Sequence, residues 1–178
     1  MPFQEIAREL QGKAANLAVR LPIAWVNLLA GPPVSVDGRT LDARAQWLIQ
    51  VLARSGQPPV ERTSVLEARA DYDTFMLEMG GRPAPIGEIV DRTIEGPGGR
   101  LRVRVYRPAG TVARLLPAIL YLHGGGWVMG SLEGYDLVSR WLCARSGCVV
   151  VVPDYRLAPE HRFSAGLLSL IHISEPTR

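Results

Sequence analysis

Tyr121-Leu122-His123-Gly124-Gly125-Gly126-Trp127 follows the apolar run Pro117 to Leu122 and precedes a helix-like segment, Leu132 to Ser146. This order predicts a strand, a loop and a helix. Three consecutive glycines remove side chains from the loop and allow backbone angles that other residues avoid, so peptide N–H groups can converge on one point. Such a point stabilises a developing negative charge. A phosphate loop would need a Gly-Lys-Ser/Thr ending and a dinucleotide turn Gly-x-Gly-x-x-Gly, and neither is present.

Downstream, Cys148 to Val152 is a second continuous apolar run, separated from Pro117 to Leu122 by the predicted helix that stops at Gly147. Two such runs joined through a helix predict parallel strands of a sheet covered on both faces. Upstream, Ile89 to Ile94 and Leu101, Val103 and Val105 have a period of two and flank Gly96-Pro97-Gly98-Gly99, a hairpin signal. Arg100, Arg102 and Arg104 alternate with that second strand and read as the solvated face of an edge strand. The expected class is α/β: an antiparallel hairpin, then parallel strands with a crossover helix, with the glycine loop at the carboxyl end of a strand where such sheets bind ligands.

The first eighty residues read as helices broken by proline. Phe3, Ile6, Leu10, Leu17 and Leu21 share one helical face up to Pro22, and Leu21 to Ala30 continues to Gly31-Pro32-Pro33. Leu41 to Ser55 and Val65 to Met79 repeat the pattern, the latter after Thr63-Ser64 and before Gly80-Gly81. The expected organisation is a helical cap over residues 1–85 and a sheet-containing part over 86–167.

Composition narrows the function. With 178 residues, 47% hydrophobic and 21% charged, the chain can bury one sizeable core. Of 20 basic residues only Lys13 is a lysine, and the arginines are scattered without aromatic interleaving, which argues against nucleic acid. Cys143 and Cys148 have no metal or redox spacing and read as two small buried thiols. No metal or cofactor is expected. The longest apolar stretch is too short to span a bilayer, and the N-terminus lacks a signal-peptide layout, so a cytoplasmic location is the default expectation.

The second motif is Pro153-Asp154-Tyr155-Arg156-Leu157-Ala158-Pro159-Glu160-His161. Together with His123 to Trp127 it resembles the hormone-sensitive-lipase-like branch of the α/β-hydrolases, over about residues 86–167. The resemblance implies a serine carboxylic-ester hydrolase, of which this chain would be the N-terminal part, acting on a small acyl ester. It assigns the amides of Gly124 and Gly125 as oxyanion donors, with His123 and Gly126 holding the loop. Asp154, Tyr155 and Arg156 would brace it from the neighbouring strand end, and Trp127 would pack under it. Self-association of the full-length protein is the other partner expectation. A ligand-binding protein that keeps the scaffold without catalysis, and an amide hydrolase, are the alternatives.

The family's nucleophile, acid and base are absent. No Gly-x-Ser-x-Gly occurs, and Ser164, in Arg162-Phe163-Ser164-Ala165-Gly166, lacks the glycine a strained elbow needs. Ser164 is expected instead as the N-cap of the next helix. Residues 168–178, Leu-Ser-Leu-Ile-His-Ile-Ser-Glu-Pro-Thr-Arg, match the in-frame translation of a transposase-based sequencing adapter and are expected to be an artefact. His172 would then have no role.

Overall fold

A computed structural model describes residues 20–54, 58, 60–96, 99–111 and 115–171. The expected helix through Phe3, Ile6, Leu10 and Leu17, and residues 172–178 of the tail, lie outside the described residues. The chain divides into two compact units, 1–63 and 64–178.

In the first unit, helix α1 (Ile23–Ala30) starts after Pro22, whose φ of −53° suits a helix entrance, and stops at Gly31 with φ 73°. Val26 and Ala30 are buried, while Trp25 and Leu28 are exposed. A small hairpin interrupts the expected helical region: β1 (Ser35–Val36) pairs antiparallel with β2 (Arg39–Thr40) across Asp37-Gly38. Both turn residues have positive φ, 50° and 75°, as a two-residue hairpin turn requires. Helix α2 (Ala43–Arg54) begins where the Asp42 carboxylate accepts the N–H groups of Arg44 and Ala45. Buried Gln46 joins α2 to α1, accepting from Val34 N and donating to the carbonyls of Ala30 and Pro32.

The second unit opens with a capping box. Ser64 Oγ accepts the Glu67 N–H, and the Glu67 carboxylate accepts the Ser64 N–H, starting helix α3 (Val65–Met79). The helix spans the residues the sequence predicts, but it belongs to the compact unit that holds the sheet. The boundary between units thus falls at Ser64, earlier than the expected break after residue 85. The physical reason is a set of polar contacts from α3 to residues 128–160, described below.

β3 (Glu88–Gly96) and β4 (Gly99–Arg107) form the expected antiparallel hairpin, in register from Glu88↔Arg107 to Gly96↔Gly99. β5 (Ala118–Leu120), helix α4 (Asp136–Ser146) and β6 (Val149–Pro153) supply the parallel β-α-β unit. Gly147 ends α4 in the left-handed region, φ 68°. The short helix α5 (Ala165–Leu168) follows.

Strand order is β3-β4-β6-β5. β4 is therefore interior, and the edge-strand reading of Arg100, Arg102 and Arg104 is corrected. Arg102 and Arg104 point to the face that carries Asp91 and Glu133 and form a four-residue ion-pair cluster with them, at 2.6–3.2 Å. Only Arg100, beside Glu95, keeps the solvated role.

The core lies between α4 and one face of the sheet: Tyr106, Leu132, Cys143, Val150 and Val152 are buried together, with Ile89, Ile119 and Leu142 packed against them. The opposite face of β5 differs from expectation, since Ala118 and Leu120 are exposed. Of the two thiols, Cys143 is buried and Cys148 half-buried, because Cys148 lies in the turn before β6 rather than inside the strand. No helix among the described residues is long and apolar enough to cross a membrane.

Candidate active site

The glycine loop leaves the carboxyl end of β5. Tyr121 N still donates to Val151 O, at 2.9 Å, so the loop starts from a fixed strand end. Gly125 has φ 126°, and a Cβ there would lie 2.1 Å from the Met129 carbonyl oxygen. Only glycine fits. The Gly125 carbonyl in turn accepts the N–H groups of Val128 and Met129, folding the loop back on itself.

His123 is 4% exposed and lies between two tyrosine rings, Tyr155 at 4.4 Å and Tyr135 at 5.2 Å. Its Nδ1–H donates to the Gly124 carbonyl, at 2.8 Å, which fixes the ring on the loop's own backbone. A Cβ on Gly130 would strike that ring at 2.4 Å. His123 thus fills space that Gly130 vacates.

The second motif enters from the end of β6. Asp154 N donates to Arg102 O, which continues the β6–β4 ladder, and Tyr155 Oη donates to His123 O. Ala158 N donates to Trp127 O at 2.8 Å, so the two motifs are joined at two places. Trp127, with φ 62°, meets the edge of Tyr155 at 5.2 Å and lies against Gly166, but half of its surface is exposed. The Arg156 N–H faces Ser169 Oγ at 3.5 Å. Ser164 occupies the N-cap position of α5, but its side chain makes no capping bond, which corrects that expectation. Asp154, His161 and Ser164 are not brought together by any hydrogen bond among the described residues.

Helix α3 contributes residues that the sequence reading missed. Arg69, Tyr72 and Asp73 stand at i, i+3 and i+4, on one side of the helix. Arg69 donates to Val128 O and Ala158 O and makes a two-pronged ion pair with Glu160, at 2.7–2.9 Å. The Arg69 hydrogen bond holds the Glu160 carboxyl below its ordinary value. Tyr72 Oη lies 2.6 Å from Tyr135 Oη, and Asp73 accepts from Ser131 Oγ at 2.7 Å. Burial, followed by the Tyr72 hydrogen bond, pushes the Tyr135 phenol above its ordinary value. The amides of Gly125 and Gly126 meet no acceptor among the described residues. The helical spacing was visible in sequence, but charged residues at such spacing look like a solvated helix face.

Residues 119–173 match the family described as the alpha/beta hydrolase fold. The carboxylic ester hydrolase LipN of Mycobacterium tuberculosis is 32% identical over 161 residues, covering 86% of this chain and 42% of LipN. Among solved structures, the hyperthermophilic esterase from the archaeon Pyrobaculum calidifontis is 42% identical with a TM-score of 0.61, covering 68% of this chain and 38% of that one. The ester-hydrolase EH1AB1 from the metagenome of Lake Arreo is 36% identical with a TM-score of 0.63, covering 68% and 39%. The sheet-containing part of the chain has the alpha/beta hydrolase fold, and the chain is similar to carboxylic-ester hydrolases. It spans about two-fifths of the length of these relatives.

Proposed function

We propose that this chain supplies the oxyanion loop of a serine carboxylic-ester hydrolase whose substrate is a small acyl ester. The unpaired amides at the end of β5 carry the reading. The Tyr135 hydroxyl crowds Gly124, lying 3.1 Å from where a Cβ would sit there, so of the two expected donors Gly125 keeps the role. Gly126, expected only as support, takes the other. A serine hydroxyl attacks the ester carbonyl, and the carbonyl oxygen becomes negative as its π bond opens. Two N–H groups held in place stabilise that charge without reorganising, each contributing about 2.7–4 kcal/mol to the transition state. Collapse of that adduct breaks the bond to the alcohol, which leaves, and the acyl-enzyme is then hydrolysed by water through the same tetrahedral charge.

His123 and Tyr155 fix the loop, and Asp154 and Arg156 hold the second motif beside it. The 178 residues include no Gly-x-Ser-x-Gly, so by themselves they turn over no ester. The test is paired. A polypeptide spanning the relatives' full length should hydrolyse p-nitrophenyl acetate or butyrate, and the 178-residue chain should not. Absence of turnover in the longer polypeptide would overturn the reading, and turnover by the short chain would refute the need for a downstream serine.

A further inference from the structure

Arg69 is more heavily engaged than any surface helix requires. Its side chain is 25% exposed, and its three nitrogens reach four acceptor atoms on two separate segments. Val128 O lies in the turn that closes the glycine loop, two residues beyond Gly126. Ala158 O and the Glu160 carboxylate lie in the second motif. The Ala158 N–H also donates to Trp127 O. One guanidinium therefore spans the backbone joint between the two motifs, Ala158 N–H to Trp127 O, on the Trp127 side of the loop.

An exposed ion pair alone contributes little to stability. A planar fork that also satisfies two carbonyls is different, because it fixes the separation and orientation of the groups it joins. Both carbonyls meet the one guanidinium while the Gly125 to Val128 turn is closed. The Val128 and Met129 amides close that turn onto Gly125 O. Any opening of the clamp would move the peptide planes of Gly125 and Gly126, whose N–H directions matter most.

We propose that Arg69 is a positioning residue for the oxyanion loop, acting from helix α3 through the carbonyls of Val128 and Ala158. The assignment rests on the ester-hydrolase reading for its effect on rate, but not for its effect on the loop. Tyr72 to Tyr135 and Asp73 to Ser131 extend the same helix face along the chain and hold residues 131–135. A misplacement of about 1 Å at a reacting centre can cost a hundredfold in rate, so a distant clamp has leverage.

Two measurements test this. In amide hydrogen exchange on the 178-residue chain, Arg69→Met should speed exchange at Val128, Met129 and Ala158 at least about tenfold, with Val105 and Val151 in the sheet unchanged. Glu160→Gln, which keeps both carbonyl bonds, should give a smaller change confined to Ala158, and serves if the methionine variant does not fold. Unchanged loop amides, or acceleration spread equally over the sheet, would overturn the clamp. In the full-length polypeptide, Arg69→Met should lower kcat about tenfold with KM within about twofold, and Arg69→Lys should not restore it. Equal turnover in wild type and variant would also overturn it. If the exchange result holds while the wild-type full-length polypeptide shows no turnover, the clamp stands and the ester-hydrolase reading falls.

Discussion

Tyr155 donates its hydroxyl proton to the carbonyl of His123 at 2.6 Å while its ring stacks on the His123 imidazole at 4.4 Å. Two residues from different strand ends thus share one buried contact. Tyr155→Phe keeps the ring and removes the donor, leaving a carbonyl unpaired. The expected loss is about 1–3 kcal/mol. Urea unfolding should show a lower midpoint with the slope unchanged, and an unaltered midpoint would show that water replaces the phenol.

Gly125 and Gly126 should respond differently to the same substitution. Gly126 has φ 62° and open space where a Cβ would go, so Gly126→Ala should cost about 1–2 kcal/mol. Gly125→Ala forces a methyl group into the Met129 backbone and should cost more than about 3 kcal/mol or prevent folding. Thermal melts of the two variants give the comparison, and similar losses would show that the loop can refold around Gly125.

Asp91 gives a pH dependence of known sign. The Arg104 hydrogen bond holds its carboxyl below the ordinary value, outweighing partial burial, with further help from Arg102. A carboxyl lowered in the folded state adds stability that is complete above its unfolded value and is lost as pH falls through the lowered one. Asp91→Asn should therefore be less stable than wild type near neutrality, and the two curves should converge in acid. Parallel curves of unfolding midpoint against pH would remove Asp91 from the ion-pair cluster.

Ser64→Ala should remove the reciprocal cap of α3 and cost about 1 kcal/mol. Circular dichroism melts check the size of the effect. Exchange at Glu67 N–H, which loses its acceptor, checks its place.

The sequence carried the local parts of this structure well. Gly99 marked the β3–β4 turn, Gly147 the end of α4, and Gly125 to Trp127 the loop, because each depends on backbone angles that few residues adopt. The position of β4 was not legible. It depends on Val105 facing Val151, a pairing between distant residues that no local period encodes. Arg102 and Arg104 were misread for that reason. The β1–β2 hairpin escaped because its strands have two residues each, although Asp37-Gly38 is a strong turn signal. Arg69, Tyr72 and Asp73 were hidden by type: polar residues on a helix look solvated until the chain they bind is in place.

The central place of β6 also sets an order in time. The β3–β4 hairpin closes across a short turn, and β5, α4 and β6 are consecutive, whereas Val103 must find Pro153, fifty residues along the chain. Closing the longer loop carries the greater entropic cost and limits the rate. The hairpin and the β-α-β unit can therefore form independently within microseconds to milliseconds and wait for each other. Asp154 reaches Arg102 only once β6 has zipped onto β4, so the brace behind the glycine loop is among the last parts to arrive. A chain emerging slowly from a ribosome would expose the loop, unbraced, until its hundred and sixtieth residue or so is free.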